Sequence, residues 1–282
     1  MAKDYRVCKG IADFNTGRSL CPVDPGKVKG LIFALEGYTL PEDITPESLE
    51  KTFHAARPER LYPVETVEEY APSGGEAQTG ATGYGNTKVT GYSARSDAFT
   101  LDHYDLGLKA NIIEAKGIPL TVYIVDDDNK VYGVRDAKNL FKGIPLSGVA
   151  VGGQDFDSSG AQATLVITIY YKDVEQYWKN ADFVEVDFDI VSSLKGVEFV
   201  KWLKLDSPAN AYKLLEAKGN LDITPYKGKL LQENATTCIP NATGVKYDDK
   251  GYLTMTISDS GEPKLAAPDV LQENGVTGIE QI

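Results

Sequence analysis

The chain is poor in the side chains on which most catalysis and metal binding rely. Among 282 residues it has two histidines, His54 and His103, and three cysteines, Cys8, Cys21 and Cys238. None of the cysteines has CxxC spacing or a neighbouring histidine, so the pattern excludes a zinc site, and an odd count argues against a disulfide framework. The start, MAKDYR, carries no hydrophobic signal-peptide core, and no apolar run approaches the ~20 residues that a membrane-spanning helix needs. The expectation is a soluble protein made in a reducing cell. Without an export signal, the Asn-Ala-Thr triplets at Asn234 and Asn241 carry no glycosylation meaning.

What is present is acid. The formal net charge is −12 (29 basic against 41 acidic residues). Residues 1–192 carry 19 basic and 29 acidic side chains, a balance of −10; residues 193–282 carry 10 Lys, no Arg and 12 acids, a balance of −2. Such a surface repels a phosphate backbone, which excludes tight nucleic-acid binding but suits a surface past which nucleic acid slides. Simple solubility is the other use of such charge. An apolar content of 42% and a charged content of 25% are ordinary for a globular chain. A chain of this length fits two domains better than one small β domain.

Turn signals and two-residue alternation dominate, which predicts a mainly β fold with one or two short helices. The stretch up to Gly26 reads as an extended arm. Residues 28–35 form a short apolar run and a first strand. Thr45, Pro46 and Glu47 suit the N-cap, first position and first turn of a helix whose Leu49 and Phe53 share a face. Residues 119–125 and 131–134 read as a hairpin turning through Asp126-Asp127-Asp128-Asn129-Lys130. In residues 164–171, Leu165, Ile167, Ile169 and Tyr171 point one way. Asp173 caps a short helix, and residues 184–190 alternate so that Glu185, Asp187 and Asp189 share one strand face, ~6.7 Å between successive members. After residues 192–196 the pattern restarts, with a strand at 197–205 and a hairpin at 244–258 turning at 248–251. This gives a division into 1–192 and 193–282, the second part read as a small β-sandwich.

Residues 72–96, PSGGEAQTGATGYGNTKVTGYSARS, hold six glycines in 25 residues. They read as a long Gly-rich loop unable to pack a core of its own, ordered only against a neighbouring subunit or not at all. Tyr70, Tyr84 and Tyr92 are its candidate interface anchors, because aromatic side chains carry much of the energy at interfaces.

Catalytic and ligand motifs fail on inspection. The run Gly80-Ala-Thr-Gly-Tyr-Gly85-Asn86-Thr87 has glycines like a P-loop but places Asn86 where the phosphate-reading Lys belongs. The Asp126–Asp128 run begins like a calcium loop, yet Val131 and Ala137 occupy the positions needing Gly and Glu. His54 and His103 have no nucleophile signature to serve. Trp178 and Trp202 read as core anchors. The sequence therefore predicts no enzyme, with no catalytic, cofactor-binding or metal residue.

The order of parts, with segments such as GIADFNTG (10–17), DDDNKVYG (126–133) and GVKYDDKGYL (244–253), resembles the major tail tube proteins of long-tailed bacteriophages, with wording similar to virion proteins of phages of gut Bacteroidetes. That resemblance implies a tail-tube-like β-sandwich or barrel domain followed by a C-terminal immunoglobulin-like β-sandwich. It also implies self-association into a stacked ring, a hexamer, with an acidic channel as a DNA conduit, contacts with other virion proteins, and location in the virion. Glu185, Asp187 and Asp189 are then the candidate channel-facing acids. Another virion part (a capsid decoration or head–tail connector protein) and a carbohydrate-binding or adhesion module are the alternatives.

Overall fold

A computed structural model describes residues 24–41, 43–81, 83–258 and 261–282. The expected N-terminal arm, with Cys8 and Cys21, lies outside the described residues up to residue 23.

Strand β1 (Val28–Leu35) opens the fold, and its run is apolar without alternation because both faces are covered. Leu31 and Phe33 enter one core while Ile32 and Ala34 enter another. Helix α1 (Pro46–Phe53) follows as expected: the Thr45 hydroxyl accepts from Ser48 N, and the Ser48 hydroxyl accepts from Thr45 N. This reciprocal cap satisfies two backbone donors that a helix start otherwise leaves open. Leu49 and Phe53 are 1% exposed.

The chain then forms β2 (Tyr62–Val64), β3 (Val67–Gly74), β4 (Ala77–Ala81), β5 (Thr87–Tyr92), β6 (Arg95–Leu101), α2 (Leu106–Glu114), β7 (Leu120–Asp126), β8 (Lys130–Arg135), β9 (Phe141–Lys142), β10 (Ile144–Gln154), β11 (Thr164–Tyr171), α3 (Val174–Asn180) and β12 (Ala181–Glu185). Ten of the strands make one antiparallel sheet, with the order β12-β8-β7-β10-β11-β6-β3 and with β1, β2 and β9 attached. The long strand β10 belongs to both halves, pairing β7 at Ile144 and β11 from Leu146 to Gln154. The sheet bends there. Leu31, Val122 and Ile124 of one half thereby share a core with Phe99, Leu165, Ile167 and Ile169 of the other. The opposite face of the first half is closed by α1 and by Ile190 and Leu194.

The C-terminal part has its own sheet and core. Strands β13 (Glu198–Lys204), β14 (Ala211–Glu216), β15 (Ala242–Asp248), β16 (Tyr252–Ile257) and β17 (Ile279–Gln281) take the order β15-β16-β14-β13-β17. The pair β13–β17 is parallel and the rest are antiparallel. Helices α4 (Thr224–Glu233), α5 (Ala235–Cys238) and α6 (Pro268–Glu273) supply Leu231, Cys238 and Leu271 to a core with Val200, Trp202, Leu214 and Leu253. The mainly β class with short helices is as the sequence predicts. Helices α4 and α5 pack against this sheet, α4 on β14, β15 and β16 and α5 on β15. The contact is close. A Cβ on Gly228 of α4 would sit 2.5 Å from the Tyr247 ring, so this helix approaches its sheet only because the position is glycine.

Among the described residues, two polar contacts join the parts. His54 Nε2 accepts from Gly278 N at 2.9 Å, which leaves Nδ1 to donate to Glu50 O at 2.8 Å. Arg60, 4% exposed, donates to Ala55 O and pairs with Glu280 at 2.6 Å. Both histidine nitrogens are thus used structurally at this seam.

Candidate assembly surface

The expected loop 72–96 is instead a β-hairpin continuing from the sheet. Strands β3 and β6 pair from Val67↔Leu101 to Gly74↔Arg95, and β4 and β5 resume from Ala77↔Tyr92 to Ala81↔Thr87 in a two-stranded sheet of their own. The glycines suggest a loop, but Gly74 and Gly75 lie at the joints and Gly83 and Gly85 in the turn, while Gly80 and Gly91 sit inside β4 and β5. Gly74 and Gly75 have φ of +80° and +84°, and a Cβ on Gly74 would lie 2.0 Å from Ala94 O. Between the joints, Thr79, Thr87, Val89 and Thr90 are ordinary strand formers. Of the P-loop-like run, residues 80 and 81 end β4, 83–85 lie in the turn and Thr87 opens β5.

The base of the arm is held by one buried carboxylate. Asp97, 1% exposed, accepts from Tyr70 Oη at 3.0 Å, Tyr171 Oη at 2.6 Å and Arg95 Nε at 3.0 Å. Burial, then the Asp97 charge, pushes the Tyr70 phenol up to about 12, and the same two causes raise Tyr171. Arg95 lies 5.3 Å over the Tyr171 ring, and Tyr92 meets Trp178 of α3 edge-on at 5.0 Å. A shallow cleft of about 270 Å³ beside them is lined by Tyr92, Tyr171 and Glu175 among others. At the joint, Ser93 Oγ donates to Glu76 at 2.6 Å while accepting from Gly75 N and Glu76 N. That bond holds the Glu76 carboxyl below its usual value.

The three tyrosines named from the sequence therefore differ. Tyr70 is bound into the base, with its ring 5.5 Å from Phe99. Tyr92 is engaged with Trp178, and Tyr84, in the turn, is 97% exposed. Trp178, read as a core anchor, is 40% exposed, whereas Trp202 is buried.

The acidic strand needs a correction. Strand β12 covers 181–185, so only Glu185 lies on it; Asp187 and Asp189 follow in a bend leading to a short 3-10 turn, Val191–Ser193. Alternation persists without a strand: Val186 and Phe188 pack on the α1-side core while all three acids are exposed. The strand ends at Glu185 because its partner β8 begins at Lys130, opposite it; farther on, Asp189 serves the turn, its carboxylate accepting from Ser192 N and its carbonyl from the Ser192 hydroxyl.

The Asp126–Asp128 run is a hairpin turn, as the sequence favours. Asp126 Oδ1 accepts from Asp128 N and Lys130 N, and Asp128 pairs with Lys130 at 2.8 Å. His103 contacts Asp102 at the surface. Among the described residues no group of three His, Cys, Asp or Glu side chains is placed to hold a metal ion, and no helix is long and apolar enough to cross a membrane.

Two surfaces escaped the sequence reading. Helix α2 has no buried residue although it is largely apolar. The outer face of the β10-β11-β6-β3 half sheet presents Ala150, Thr168, Ala98 and Ala71 in one cross-strand row, with Gly152, Val166, Thr100 and Glu69 in the next. Small uncharged side chains predominate there.

No protein-family model matches the chain, and no curated protein matches it. A solved structure, the tube-terminating cap of the anti-feeding prophage, matches 61% of this chain and 98% of its own length at 9% identity, with a TM-score of 0.28. A likeness of that size carries no argument about this chain's role.

Proposed function

We propose that the chain is a structural virion protein that assembles with copies of itself, a tail tube subunit whose stacked rings form a DNA conduit. The observation that carries the reading is the arm. Residues 77–92 are hydrogen-bonded as a hairpin, yet almost every side chain on β4 and β5 is exposed. An isolated two-stranded hairpin is at best marginal in water, and ordering each residue costs roughly 1–2 kcal/mol of backbone entropy. A second surface that buries the arm would offset that cost. In this reading the protein is not an enzyme, its partners are its own copies and other virion proteins, and it resides in the virion.

Glu185, Asp187 and Asp189 are the proposed channel-facing acids, since exposed carboxylates keep a polyphosphate from adhering. A second reading of the lining rests on the outer face of the β10-β11-β6-β3 half sheet, whose two rows hold small side chains, one carboxylate (Glu69) and no Lys or Arg for a phosphate backbone to pair with.

Electron microscopy of the purified chain tests the assembly reading. Rings or tubes are expected, and they should be lost when residues 77–92 are replaced by Asn-Gly, a two-residue hairpin turn. Monomers of the unaltered chain at all concentrations would sink it. In assembled particles, lysines at 185, 187 and 189 should slow DNA passage if the acids line the channel. Ala150→Lys with Thr168→Lys should do so if the half sheet does.

A further inference from the structure

If the chain assembles through its arm, the arm needs a receptor, and helix α2 has the chemistry for one. Asp105 caps the helix by accepting from Leu108 N at 2.9 Å. Leu108 and Ile112, one turn apart, pack on the main core. Leu106, Ala110 and Ile113 fall at i, i+4 and i+7, on the opposite side of the 3.6-residue repeat. Leu106 is 56% and Ile113 58% exposed, and Ile118 just beyond the helix is 46% exposed. A helix that is apolar on both sides is normally buried on both sides. Among the described residues nothing covers the outward stripe.

Placement and charge favour the arm of another copy as its cover. The arm leaves the half sheet at Gly74 and Arg95, next to Ser96, which pairs with Tyr170 of β11. The helix is tied by Lys109 to Asp155 at 2.6 Å, just past Gln154, which pairs with Thr164 at the other end of β11. Six residues of strand separate these levels, ~20 Å. The exposed Phe156, 84% open, follows Asp155 in sequence. The arm presents Tyr84 and Val89, 97% and 61% exposed. Residues 77–92 include one Lys and no acid in a chain of net charge −12, so the arm meets an acidic copy without repulsion. Glu114, exposed at the end of α2, gives Lys88 an opposite charge to face.

The geometry points to a head-to-tail contact in which the arm tip of one copy, through Tyr84 and Val89, covers the Leu106–Ala110–Ile113 stripe of the next. A contact between different surfaces at opposite ends of a subunit closes into a ring or extends as a filament. This inference rests on the self-assembly reading.

The test mixes two preparations, both with Cys8→Ser and Cys21→Ser and with Cys238 left buried. One carries Tyr84→Cys and the other Ile113→Cys. With a short bismaleimide, a crosslinked dimer joining the two kinds of chain is expected on mixing and not from either preparation alone. Separately, Leu106→Glu with Ile113→Glu should keep the thermal transition, because both side chains are exposed, while raising the half-assembly concentration at least tenfold. Normal assembly of the double-Glu chain, or no mixed crosslink within assembled particles, overturns the inference and leaves self-assembly standing. Failure of the unaltered chain to assemble overturns both.

Discussion

The two halves of the hairpin between Val67 and Leu101 share one backbone pattern and differ in what their side chains meet. In the proximal half Val67, Asp97, Phe99 and Leu101 are buried and the pairing continues into a ten-stranded sheet. In the distal half, beyond Gly75, the same ladder runs on with its side chains in water. Hydrogen bonding alone does not distinguish them, since each net backbone bond contributes only about 1 kcal/mol. Burial does. The proximal half is part of the body, and the distal half keeps its side chains exposed.

The sharpest way to break this contrast is to cut the same kind of side chain in each half. Phe99→Ala removes a fully buried ring from the main core and should cost about 3–5 kcal/mol in urea unfolding of the monomer. Val89→Ala should change that stability by less than about 0.5 kcal/mol, as exposed positions do. Equal losses at the two sites would erase the distinction.

The next effect is at the base. Asp97→Asn leaves Arg95, Tyr70 and Tyr171 without their shared anion and should destabilise the monomer by about 3 kcal/mol. A value near zero would mean the arm is seated by the aromatic contacts alone. The smallest effect is at the joint, in Ser93→Ala. Glu76 is held below its ordinary value chiefly by the Ser93 hydroxyl. A depressed carboxyl contributes order above the usual carboxylate range of about 4.3 and loses it as pH falls through its folded value. Removing the hydroxyl should move the Glu76 titration, followed by NMR, upward toward that ordinary value. An unchanged titration would remove Ser93 from the joint.

How legible each element was in the sequence depended on whether its pattern was local. Strand β11 showed in two-residue alternation, and helix α1 in Thr45 and Pro46, because caps and alternation are short-range. In the arm the glycines outweigh the threonines, and only the structure shows that Gly74 and Gly75 take the joint and Gly83 and Gly85 the turn while Gly80 and Gly91 stay within paired strands. Helix α2 gives little signal in the sequence because Leu106, Leu108, Ile112 and Ile113 place apolar side chains on two opposite sides and so show no one-sided period. The strand ending at Glu185 has no sequence signal for its end, because Val186, Phe188 and Ile190 still alternate inward, and the start of its partner strand at Lys130 is not visible as a period. Tyr70 and Tyr92 were found by type and position, but which of the three aromatics is free depends on Asp97 and Trp178, both set by tertiary packing.

The central claim is that residues 77–92 are covered by another copy. Amide hydrogen exchange measured on monomer and on assembled particles reads this directly. The amides of 77–81 and 87–92 should exchange fast in the monomer, as in a marginal hairpin, and at least a hundredfold slower in the assembly, while those of β11 stay slow in both. Equal exchange of the arm in monomer and assembly would contradict the claim.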